Sequence, residues 1–254
     1  MQENVIDIEF DFTMDTPGYW DHFWENNHGL GAGGNDPDAM SKTLQQYHQL
    51  LWSQRLPNGE KMNLIAGNSY TYLTWKDFRF GSDSIIASFR YRKYCHMIQL
   101  LETEMPDYKA FMESFLHKTY TIGGMIIFPK RSGGINQARG CNPLIKDRWD
   151  LTLECIRRYY ASELSPLSKV LEKEKAFFDL FGDFKNYVDF FFLQDCVAAD
   201  YRTVKLWLDN DVFAEDPLPK TTEDYMCWMN HQLEFVKKRN ERIAMYIEKK
   251  SPGS

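Results

Sequence analysis

Cysteine is scarce and scattered: Cys95, Cys141, Cys155, Cys196 and Cys227 are the five in 254 residues, and no two form a C-x-x-C pair. An odd, dispersed set argues against a disulfide frame and a structural zinc site, and reads as reduced thiols of a cytoplasmic protein. Long apolar runs are missing, and the start MQENVIDIEF has neither the basic flank nor the apolar stretch of a secretory leader. The expectation is a soluble protein with no membrane partner. Positive charge is in deficit, 30 Lys and Arg against 36 Asp and Glu, for a net charge of −6. That balance argues against the broad basic surface on which non-specific duplex binding draws. No G-x-x-x-x-G-K-[ST], G-x-S-x-G or H-E-x-x-H occurs, so an ATP-hydrolysing P-loop, a hydrolase elbow and a preassembled zinc site are disfavoured.

What is present can build a core. Hydrophobic residues make up 43% of the chain and aromatic ones 15%, spread throughout, which argues against disorder. With no long linker, charge block or repeat period, the length reads as one domain over residues 1–254. Ile6, Ile8, Phe10 and Phe12 alternate with acidic residues, which predicts a strand. Asp36-Pro37 opens a helix reaching about Ser53, and Pro57-Asn58-Gly59 is a turn. Strands are expected near 62–66, 69–75 and 120–128, and helices over 91–101 and 106–117. Beyond Asp147 the chain reads as mainly helical, closing with a long helix over about 223–248. The fold class is α+β, with a mixed part to about residue 128 and a helical part after it.

The segment Pro129 to Tyr160 stands apart electrostatically. Lys130, Arg131, Arg139, Lys146, Arg148, Arg157 and Arg158 face only Asp147, Asp150 and Glu154, a local balance of +4 that leaves −10 for the rest. Such a separation favours a small polyanion, phosphate-bearing above all. Gly133 and Gly134 would let backbone N–H groups approach it, with Lys130, Arg131, Asn136, Gln137, Arg139, Arg148 and Arg157 as binding residues. The following helix, capped by Asp147, turns a wide apolar arc inward and leaves Asp150, Glu154, Arg157 and Arg158 on a polar strip. That strip is either a solvated face, Glu154 pairing with Arg158, or a cleft floor.

The runs TIGGMIIFP, INQARG, DRWDLTLECIRRYY, SPL, FFDLFGDF and YVDFFFLQD are similar to those of an uncharacterised family of bacterial proteins. The resemblance extends from FDFTMDT through HQLLWSQRLPNG and SDSII to YVDFFFLQD. It implies a bacterial, soluble, single-domain protein, and brings no reaction, cofactor or catalytic residue with it.

Other signals are discounted. Gly29 to Gly34 fits G-x-G-x-x-G, but no buried strand precedes it, and Asp36 and Asp38 would put carboxylates where a pyrophosphate sits; no nicotinamide or flavin cofactor is expected. Arg90 and His96 have the spacing of the Arg-x4-6-His pair of helical ribonucleases, yet His96 falls in a packed helical pattern. Asp195 interrupts the apolar run Tyr187 to Ala199 and needs a partner, for which Arg148, Arg157 and Arg158 are the candidates. Asp150, Glu154 and Asp195 are the candidate acid/base groups, and they leave a divalent metal open. Two functions result: recognition or processing of a nucleotide or single-stranded nucleic-acid end, or a non-catalytic module docking an acidic partner.

Overall fold

The computed structural model describes residues 6–25, 36–68, 71–87 and 95–250. The Gly29 to Gly34 stretch, Arg90 and the side chain of His96 fall outside them. The architecture is α+β: one antiparallel sheet from the N-terminal half, and helices dominating after it.

Helices α1 (Tyr19–Glu25), α2 (Pro37–Met40) and α3 (Lys42–Trp52) precede strands β1 (Ile65–Ala66), β2 (Leu73–Trp75) and β3 (Phe78–Ser84). Helices α4 (Cys95–Glu104) and α5 (Tyr108–Thr119) then cross over to β4 (Met125–Pro129). The strands lie in the order β1-β2-β3-β4, with Gly81 opposite Phe128 and Ser82 opposite Ile127. After β4 come α6 (Ile135–Cys141), α7 (Trp149–Tyr160), α8 (Ser168–Lys173), α9 (Lys175–Phe178), α10 (Phe184–Phe190) and α11 (Thr222–Lys250). A single apolar cluster takes in both halves, from Phe12, Trp52 and Phe80 to Trp149, Phe191 and Trp228.

Several expectations are corrected. Residues 6–12 form no strand. The Asp7 carboxylate takes the Glu9 N–H, and the Asp11 carboxylate takes both the N–H and hydroxyl of Thr13, so acidic side chains hold the backbone in local turns. The alternation recorded which side chains face the core, Phe12 being fully buried. The helix from residue 36 breaks at Ser41, whose backbone is extended and whose Oγ accepts the Leu44 N–H to cap α3. Strand β3 has no counterpart among the expected strands, because its sequence, FRFGSDS, buries only Phe80 and Asp83 below one-tenth exposure. Strand β4 begins at Met125, after a 3-10 turn at Ile122–Gly124, not at Tyr120. The basic segment contains helix α6. The run from Tyr187 to Ala199 is not one helix: α10 stops at Phe190, and Phe192 takes a left-handed φ of 56°.

The glycine pair of TIGGM is a packing requirement. A Cβ on Gly124 would lie 1.9 Å from the Thr119 carbonyl oxygen, and one on Gly123 would lie 2.6 Å from that of Val236. Here α11 docks on the turn before β4: Arg239 donates to the carbonyls of Gly123 and Met125 at 2.9 and 2.7 Å, and Asn240 accepts the Gly123 N–H.

Candidate functional site

Strands β3 and β4, the start of α2 and the turn into α6 enclose a half-open cleft of about 260 Å³. One wall is basic and amide-bearing, with Lys130, Arg131, Asn136 and Gln137. Asp38, Tyr72, Ser82, Phe128 and Gly81 line it as well. The aliphatic stem of Lys130 passes over Gly81, close enough that a Cβ there would stand 3.5 Å from Lys130 Cδ. Arg131 is held by the buried Glu174 carboxylate at 2.7 Å and keeps half of its side-chain surface exposed.

The glycines of this wall do not offer bare N–H groups. Gly133 donates to Gln137 Oε1 at 2.9 Å, and Gly134 to the Arg131 carbonyl at 3.2 Å. Neither of these two N–H groups is therefore free for an anion.

Behind the cleft runs a hydrogen-bonded chain that sequence reading did not find. Trp52 Nε1 donates to His48 Nδ1 at 2.8 Å, His48 Nε2 lies 3.0 Å from Ser82 Oγ, and Ser82 Oγ donates to Asp38 Oδ1 at 2.6 Å. An indole nitrogen only donates, so His48 Nδ1 is unprotonated and its hydrogen sits on Nε2, pointing at Ser82. His48 therefore does not act as a base on Ser82. Burial, helped by Arg239, pushes the His48 pKa down to about 3, which keeps the ring neutral.

Asp38 is the end of that chain. Burial, then the neighbouring Asp36 and Asp83 carboxyls, raise its pKa well above the usual carboxylate range, against the lowering pull of Ser82 and Arg139. Burial likewise lifts Asp83 to about 7 although Arg139 opposes it. Tyr72 sits beside Ser82 with its hydroxyl buried and without a partner in hydrogen-bonding geometry, and burial then Asp38 raise its pKa. Its left-handed φ of 53° costs an aromatic residue about 1 to 3 kcal/mol. The backbone bonds that enforce it run from Tyr72 N–H to the Asn68 carbonyl, and from Gly67 N–H and Gln45 Nε2 to the Tyr72 carbonyl.

The residues singled out from sequence separate into five places. Lys130, Arg131, Asn136 and Gln137 come together in the cleft. Arg139 does not reach it: 1% exposed, it donates to Asp83 at 3.1 Å, to the Ser84 and Asp147 carbonyls and to Thr152, and its guanidinium also pairs with the Asp147 carboxylate. Asp147 accordingly does not cap α7, where Arg148 is the cap residue without a side-chain bond. Arg148 and Asp150 form a fully buried pair; Arg148 also donates to the Asn210 side chain and the Pro217 carbonyl, while Asp150 accepts the Trp207 N–H at 2.9 Å. Asp150 thus leaves the expected polar strip and fastens the irregular segment before α11. Glu154 joins Arg157 and Arg158, both at 2.8 Å, with Glu163 completing the network.

Asp195 pairs with Arg242 of α11, not with Arg148, Arg157 or Arg158. Asp195 lies not on a continuous helix but in the 3-10 turn Gln194–Cys196 that follows α10, within reach of α11. Asp195 borders a second depression of about 220 Å³ with Lys205, His231 and Lys238. Cys141, Cys155, Cys196 and Cys227 are free thiols. No described helix is long and apolar enough to cross a membrane.

A model of the DUF6994 family of unknown function matches residues 6–243, and the chain belongs to that family. No curated protein and no solved structure matches it.

Proposed function

We propose that the cleft between β3, β4 and α6 binds a small phosphate-bearing ligand, up to about the size of a mononucleotide or a terminal nucleotide. The observation that carries the reading is the convergence of Lys130, Arg131, Asn136 and Gln137 on one concave wall. Two cations and two amides supply charge-assisted and neutral donors for phosphate oxygens, and the Glu174 pair orients Arg131 without covering it. A cleft of this volume admits a small molecule and not a duplex. Docking of an acidic protein has less support, because the large hydrophobics exposed among the described residues are scattered aliphatic ones such as Met14, Ile65 and Leu164.

Calorimetric titration with inorganic phosphate and the nucleoside monophosphates tests this. Lys130→Ala and Arg131→Ala should each weaken the best phosphate-bearing probe by about 1.5 to 3 kcal/mol, the range for hydrogen bonds to a charged group. Failure of every such probe to bind the intact chain, or unchanged affinity in both variants, overturns the proposal.

A further inference from the structure

The same cleft has an acidic lining residue beside its basic ones. Asp38 lines it, Asp36 and Asp83 interact with Asp38, and Arg139, which pairs with Asp83 and attracts Asp38, also holds Asp147. Tyr72 is an independent sign: 5% exposed and locked in a left-handed backbone, it brings a buried, unpartnered hydroxyl to the wall of the cleft. A carboxyl oxygen, the lone pairs of a phenol oxygen, and the rings of Tyr72 and Phe128 together offer acceptors and π-faces. A protonated nitrogen can donate to both oxygens and lie against the rings. Among the described residues no three His, Cys, Asp or Glu side chains converge as metal ligands, so an organic cation suits this lining better than a metal ion.

We infer that Asp38 and Tyr72 form a subsite for an ammonium or amidinium group, and that the ligand of the cleft is amphoteric, with its cation there and its phosphate on Lys130 and Arg131. The placing of the phosphate rests on the function proposed above; the cation subsite stands on the floor residues alone.

The charge state of Asp38 ties binding to pH. The groups facing it are Ser82 and Asp83 from β3, Tyr72 before β2, Asp36 from its own turn and Arg139 from α6. His48, behind Ser82, stays neutral. Because burial, then the acidic neighbours, raise the Asp38 pKa, an arriving cation competes with a proton for its carboxyl group. Binding then releases protons and tightens as pH rises towards the pKa of the ammonium group.

The test is calorimetric binding of 2-aminoethyl phosphate and its longer aminoalkyl homologues, each against the alkyl phosphate of equal length, at about pH 6 and about pH 8. The best aminoalkyl phosphate should bind at least about tenfold tighter than its alkyl counterpart, more so at the higher pH. Asp38→Asn should abolish that preference without weakening the alkyl phosphate, and Tyr72→Phe, which removes one oxygen and keeps the ring, should narrow it. Equal affinity of each matched pair across the series overturns the cation subsite and leaves the phosphate rim standing. Binding of plain alkylammonium ions that depends on Asp38, with no binding of alkyl phosphates, upholds the subsite and removes the rim. Binding of none removes both.

Discussion

Trp52 and His48 are joined by a 2.8 Å bond from the indole N–H to Nδ1, and that bond decides the direction of every hydrogen bond after it. With Nδ1 occupied as an acceptor, His48 presents its N–H to Ser82, and Ser82 passes its own to Asp38. The chain orients a carboxyl group at a cleft wall; it does not generate a nucleophile.

His48 should therefore remain the Nε2–H tautomer throughout the neutral range and resist protonation until about pH 3. Nitrogen and carbon NMR shifts of the ring, followed down in pH, check this. A ring that titrates near the usual histidine value of about 6.5 would show that it is not enclosed as described.

Asp150→Ala should cost about 3 to 5 kcal/mol, because it strands the fully buried Arg148 guanidinium. Urea denaturation measures the loss. The same change should speed proteolysis of the segment around Trp207, whose N–H loses its acceptor. A midpoint equal to that of the parent would place the pair in contact with solvent.

Gly124→Ala tests the docking of α11. The new methyl group would meet the Thr119 carbonyl oxygen at 1.9 Å, and relieving the clash requires moving backbone, so a loss of about 3 kcal/mol or more is expected. The glycine before a hairpin makes a contrast. Gly59 has no atom within 4 Å of a built Cβ but holds φ at +85°, so Gly59→Ala should show only backbone strain of about 1 kcal/mol.

Asp83 gives a pH prediction with a definite sign. Its folded pKa of about 7 lies above the model value of 3.8, so the folded state binds more protons in between. Its contribution to stability is complete below the unfolded pKa and is lost as pH rises from about 4 to about 7. Asp195 acts oppositely: the Arg242 hydrogen bond lowers its pKa, so its contribution is present above the unfolded value and fades as pH falls through the folded one. Thermal melts across pH should show Asp83→Asn flattening the decline on the alkaline side of about 4, and Asp195→Asn removing part of the acid-side loss. An Asp83→Asn profile parallel to the parent's would mean that Asp83 is ionised throughout.

Local patterns carried much of the fold. Apolar spacing at 3.6 residues marks α7 and α11 from sequence, since a helix repeats its buried face with that period whatever it packs against. The same holds for the Glu154 to Arg158 pair, an i, i+4 contact that the helix itself creates. The basic stretch at Lys130 and Arg131 was also visible as composition, and it reaches one wall of the cleft.

The rest depends on contacts distant in the chain. Alternation at residues 6–12 could not distinguish a strand from acid-capped turns, because both place every second side chain inward. Asp38, His48, Tyr72 and Ser82 stand in segments with no common period, and only sheet register, the packing of α2 against β3 and that of α3 against β1 bring them together. Likewise Arg139 and Arg148 looked like ligands by charge alone, while burial turned each into an internal tie. Sequence thus determined charge, helix faces and the basic half of the cleft; tertiary structure decided which charges meet solvent, because desolvation and pairing act through space and leave no local signature.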